Sequence, residues 1–195
     1  MITLKHYLDY TRSSELYNKH IQEIREYNRA LVGRYPWLKI KKYTDFDPYP
    51  EKESTDEYNW TWLDDMPEGW RLAFGEQMCA EIQAELERVN YVNEYQILQI
   101  KEKYGSLRWY NGAIPADCNV FDIINKYENL SEIICIDCGK PAKYTTLGWI
   151  SPYCDTCISR LESFERIKYV PIERRFDNGV LETLEAQREK LCAPT

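Results

Sequence analysis

Between residues 13 and 31, Leu16, Tyr17, His20, Ile21, Ile24, Tyr27 and Leu31 recur at spacings of three and four. That period lays one apolar stripe along an α-helix. Ser13 or Ser14 is placed to cap its start. Pro36 ends any continuation, because the residue before a proline avoids the α region. The next stretch, YTDFDPYPEKESTDEYN at residues 43–59, has two prolines, dense charge and no period, and it reads as a solvated connection. A second stripe follows. Trp70, Phe74, Met78, Ile82, Leu86 and Val89 stand nearly four residues apart, which predicts a helix of about five turns. Asp64 or Asp65 can cap that helix, and Pro67 suits its first turn. Gly75 falls inside the helix, where glycine costs ~1 kcal/mol relative to alanine, so it is expected to mark the close approach of a neighbouring element.

The period then changes from helical to alternating. EYQILQIKEKYGSLRWYNG predicts a β-hairpin with its turn at Gly105–Ser106. Simple alternation puts Leu98, Ile100, Glu102 and Tyr104 on one face and Ile97, Gln99, Lys101 and Lys103 on the other. CNVFDIINKYENLSEII returns to a helix, with Phe121, Ile124, Tyr127, Leu130 and Ile134 on its apolar side. A last helix is expected over residues 180–191. The fold class is therefore α+β: helices packed on a small antiparallel sheet, with a cysteine-rich module fused to them. The expected division is an N-terminal helical segment and loop at 1–66, a helix–hairpin–helix core at 67–134, the module at 135–170 and a tail at 171–195.

That module reads CIDCGKPAKYTTLGWISPYCDTC, two C-x-x-C pairs with fifteen residues between them. Zinc favours four tetrahedral ligands and binds thiolate sulfur at ~2.3 Å, so Cys135, Cys138, Cys154 and Cys157 are the expected ligands of a structural Zn²⁺. Gly139 permits the tight turn of a knuckle. A short hairpin around Leu147, using residues 143–145 and 148–150, and a helix from Cys157 past Leu161 would complete a treble clef; a zinc ribbon would instead set both pairs on β-turns. Four thiolates close the shell and leave no position for water, so the expected metal holds shape rather than performing chemistry.

The chain carries a net charge of −7 and a pI near 5.1, which disfavours general binding to a phosphate backbone. No apolar run reaches the ~20 residues of a membrane span, and the first residues lack the apolar stretch of a secretory signal. Seven cysteines, four of them at metal spacing, fit a reducing cytoplasm better than a disulfide framework. Cys79, Cys118 and Cys192 read as inert, and with only His6 and His20 present, histidine-based catalysis has few possible constructions. His20 is expected as a core histidine, and no Gly-rich phosphate cradle is present. Glu102 stands on the apolar face of the hairpin, so it is expected to be at least half-buried and either to pair with a cation such as Arg71 or Arg108, the structural reading, or to have a raised pKa.

The runs IKEKYGSLRWY, CIDCGKPA and GWISPYC resemble those of a family of small bacterial and phage proteins over residues 69–157. Some members end in C-x-x-H where this chain has Cys157. The resemblance carries no catalytic residue, but it implies a phage or prophage origin and action on a host protein. The leading expectation is a non-enzymatic zinc protein of the bacterial cytoplasm that binds a host protein, as an inhibitor of a defence system. Lys101, Glu102, Lys103, Arg108 and Trp109 are its candidate binding residues. Two alternatives are a nucleic-acid binder using Lys101, Lys103, Arg108, Lys140 and Lys143, and a small-ligand binder or enzyme with a pocket near Glu102.

Overall fold

The long apolar stripe forms one helical run. In the computed structural model, which describes residues 15–40, 60–146, 150–159 and 169–172, it comprises α2 (Glu68–Trp70), a π-helical turn (Arg71–Gly75) and α3 (Glu76–Arg88). Trp70, Phe74, Met78, Ile82 and Leu86 are all buried. Positions four apart drift by about 40° per step around an ideal α-helix. The wider π turn near the start of the run offsets part of that drift and keeps Trp70 in line with the stripe.

Ahead of this run lie α1 (Glu15–Leu31), a 3₁₀ turn at Pro36–Leu38 and another at Trp62–Asp65. Asp64 caps the second of these turns rather than the long helix, accepting from the Thr61 backbone N–H and hydroxyl. The inner face of α1 also differs from its sequence pattern. Tyr27 is exposed, and Asn28 is buried in its place, donating to Asp64 Oδ1 at 3.0 Å. His20 is only partly buried and bonds Glu68 Oε1 at 2.9 Å.

The hairpin is β1 (Ile97–Lys103) against β2 (Ser106–Asn111). Its two-residue turn is Tyr104–Gly105, one residue earlier than expected, and both residues have positive φ (55° and 77°), as a primed turn requires. A register shift between Ile97 and Gln99 adds a residue to β1. The bulge lets both Ile97 and Ile100 face inward and leaves Leu98 outside, where simple alternation would have parted the two isoleucines. Helix α4 (Val120–Ser131) buries Val120, Ile124, Tyr127 and Leu130, while Phe121, expected on that side, is 55% exposed.

One buried cluster takes side chains from Leu31 to Ile134. Trp37 stacks edge-on to Tyr95 at 5.4 Å and lies 6.2 Å from Trp109. The indole N–H groups of this core are satisfied: Trp37 donates to Gln83 and Trp109 to the Tyr95 hydroxyl. The chain then enters a three-stranded antiparallel sheet ordered β4–β3–β5, with β3 at Tyr144–Thr146, β4 at Pro152–Tyr153 and β5 at Tyr169–Pro171. The strand facing β3 is Pro152–Tyr153, while Leu147 and residues 148–149 of the expected hairpin lie outside the described residues. Helix α5 (Asp155–Ile158) follows β4 in the chain. The predicted cap at Ser13 or Ser14, the connection at 43–59, the helix at 180–191, His6, Leu161 and Cys192 lie outside the described residues.

Candidate metal centre

Two local structures bring the cysteines together. The first pair sits in a turn closed by Cys135 N–H to Lys140 O (2.7 Å) and Gly139 N–H to Cys135 O (3.0 Å). Gly139 has φ +76°, a region that glycine enters without penalty. The second pair brackets a helix start: Cys154 is the N-cap of α5 and Cys157 lies in its first turn. The intervening β3–β4 hairpin bonds to the first turn through Ile136 N–H to Pro152 O at 3.0 Å.

All four sulfurs lie within 4.8 Å of one another, and those of Cys138 and Cys154 are 3.5 Å apart. A tetrahedral ion with ~2.3 Å bonds to sulfur needs sulfur–sulfur edges of about 3.8 Å. The described cysteines are all free thiols. Hydrogen bonds from Cys135 and Cys157 hold the Cys138 thiol far down, at about 2, while the contact with Cys138 pushes the Cys135 thiol up and contacts with Cys135 and then Cys138 push up that of Cys157. Backbone N–H groups of Asp137 and Cys138 also favour a thiolate at Cys135, as does that of Lys140 at Cys138. Such donors stabilise the anionic sulfurs that a metal requires. Cys135, Cys154 and Cys157 are buried, so the cluster can hold a metal ion in a shell supplied wholly by protein.

The knuckle is pressed onto the helical run. Gly69 N–H donates to Ile136 O at 2.9 Å, and Trp70 Nε1 donates to Ile134 O at 2.9 Å. A Cβ on Gly69 would fall 2.2 Å from Cys135 O, and one on Gly139 would fall 2.6 Å from Gly69 O. These two glycines form the close approach that the sequence suggested for Gly75, whose own Cβ would come nearest to Arg71 Cγ, at 3.3 Å.

The other candidate residues separate into two groups. Lys101 pairs with Arg108 across the hairpin, on the face opposite Ile100 and Trp109. Lys103 shares that face by alternation along β1. Lys101 Nζ lies 5.4 Å from the Tyr110 ring centre and Lys103 Nζ 5.4 Å from that of Tyr104. Trp109, by contrast, is buried at 3% and belongs to the core rather than to a binding surface. Glu102 is partly buried, but no cation pairs with it among the described residues. Its carboxylate instead accepts from Gly105 N–H at 2.7 Å and so closes the hairpin turn, while Arg108 pairs with Glu128 at 3.5 Å. Beside Glu102 an open groove of about 640 Å³ is lined by Trp62, Asp64, Asp65, Pro67 and Lys101. Burial, then Asp64, raises the Asp65 carboxyl. Lys143 pairs with Asp155 at 2.6 Å. Cys79 is fully buried and its thiol is pushed up by burial, which matches an inert packing role. Among the described residues, no helix is long and apolar enough to cross a membrane.

The chain matches no protein-family model, no curated protein and no solved structure.

Proposed function

We propose that the chain is a non-enzymatic binding protein whose metal is a structural zinc ion in a treble-clef arrangement. The donor set supports zinc, since four thiolates in a tetrahedral shell suit that ion. The outward face of the hairpin carries the binding reading. Lys101, Lys103 and Arg108 gather there with the exposed rings of Tyr104 and Tyr110, on a chain whose overall charge is −7. Tyrosine and arginine are enriched in protein interfaces, and a local basic face on an acidic protein selects an acidic partner by charge. The partner in this reading is a protein of the bacterial host cytoplasm, and inhibition of a defence system is the role that the resemblance of residues 69–157 to small bacterial and phage proteins suggests. Affinity capture from bacterial lysate, comparing the natural chain with a Lys101→Glu/Lys103→Glu variant, tests it. A stoichiometric protein partner lost from the variant is expected. A partner held equally by both would remove the hairpin face from the interface.

The same face favours nucleic acid as a second reading, because cations interleaved with aromatic rings also suit single strands. Titration of labelled single-stranded DNA and RNA across a salt series separates the two. Binding that weakens steeply with salt would replace the protein partner by nucleic acid.

A further inference from the structure

Arg71 is a cation with little water around it. It is 8% exposed, and its guanidinium makes no hydrogen bond or ion pair among the described residues. Burial lowers its proton affinity despite the fields of Glu68 and Asp64. Both of those carboxylates are bonded elsewhere, Glu68 to His20 and Asp64 to Asn28 and Thr61. A buried charge left unpaired is costly, and a protein keeps one where something else completes it.

Arg71 also begins the π-helical turn, a local irregularity common at functional sites. The turn opens a cavity of about 320 Å³ lined by Tyr27, Arg71, Leu72, Phe74, Gly75 and Glu76 among others. The guanidinium lies near enough to Tyr27 for its charge to act on that phenol. Tyr27 and Leu72 are about half exposed at the rim. The cavity thus sets apolar side chains beside one cation, Arg71, with Glu76 and Gln77 completing its lining, and its volume is at the lower end of the usual ~300–1,000 Å³ of a small-molecule site.

We infer that this cavity binds the carboxylate of a small organic acid, with Arg71 as the anion's fork and Tyr27 and Leu72 holding its apolar body. Guanidinium geometry matches a carboxylate in a two-point contact. The charge of the ligand follows from the surroundings. Glu76, itself paired with Arg34, lines the cavity, and Glu68 and Asp64 lie within field range of Arg71, so each negative charge on a ligand meets repulsion as well as Arg71 and a singly charged acid is favoured over a dianion such as phosphate.

The test titrates the full chain with sodium benzoate, using benzamide as a neutral probe of the same shape, and follows the Arg71 Nε–H and the Leu72 and Phe74 amides by NMR. Saturable shifts with benzoate are expected, with benzamide at least tenfold weaker. Arg71→Met, which keeps the stem but not the charge, should lose the benzoate response. Equal responses to the two probes, or no saturable shift at these groups with benzoate, would overturn the inference. The comparison of the two probes uses the natural chain and therefore decides the matter whether or not the variant folds.

Discussion

Replacing Gly69 with alanine probes the junction between the metal knuckle and the helical body. The new Cβ would stand 2.2 Å from Cys135 O and 2.6 Å from the Ile136 carbonyl carbon and oxygen. These are backbone atoms of a ligand turn, so no flexible side chain can yield, and the knuckle must retreat by roughly 1 Å to regain van der Waals distance. The overpacking costs about 1–3 kcal/mol, and weakening the Gly69 N–H to Ile136 O bond adds ~1 kcal/mol. Removing a helical glycine returns up to ~1 kcal/mol. A net loss of about 2 kcal/mol lowers the Tm of a chain this size by about 4–8 °C. Thermal melts followed by far-ultraviolet circular dichroism should show that fall, and a chelator should withdraw metal faster from the variant. Gly75→Ala is the control, since its Cβ comes nearest to the flexible stem of Arg71, and it should shift stability by less than ~1 kcal/mol. A Gly69→Ala protein as stable as the natural one would refute the docking of knuckle on helix.

Tyr104 holds φ +55° without being glycine, so Tyr104→Asn, which makes the Asn-Gly pair that primed turns prefer, should raise stability by roughly 0.5–1 kcal/mol in denaturant melts while weakening partner capture through loss of an exposed ring. Trp109→Phe removes the indole bond to Tyr95 and part of the packing on Trp37, and should cost about 1–3 kcal/mol of folding stability without altering the hairpin's outer face. Glu85 accepts from Arg88 and from Asn119 N–H, and these bonds hold its carboxyl down at about 2. A depressed folded pKa contributes stability that is present above the unfolded value near 4.5 and is lost as pH falls towards 2. Glu85→Gln should flatten the acid limb of a stability–pH curve over that window, and an unchanged limb would assign it to other carboxylates.

The features legible in the sequence are those carried by repeated spacing. The stripe from Trp70 to Leu86 and the two C-x-x-C pairs each specify their geometry locally, and the structure buries the first and gathers the second. What could not be read depends on single residues whose meaning is set by distant ones. One added residue in β1 turns Ile97 inward beside Ile100. Asn28 replaces Tyr27 on the inner face of α1 because Asp64, far along the chain, offers it a bond. Glu102 has the sequence setting of half an ion pair, but a backbone N–H three residues on satisfies it. Gly69 and Gly75 are alike in sequence, and only the arrival of Cys135 distinguishes them.

The central claim is that Cys135, Cys138, Cys154 and Cys157 together hold one structural zinc ion, and elemental analysis of the purified chain tests it most directly. Because binding to such a site supplies folding free energy, metal should copurify and resist dilution. The account predicts one zinc per natural chain and a large loss of metal from Cys154→Ser. A natural chain with no stoichiometric metal, or a Cys154→Ser protein that retains a full equivalent, would contradict it.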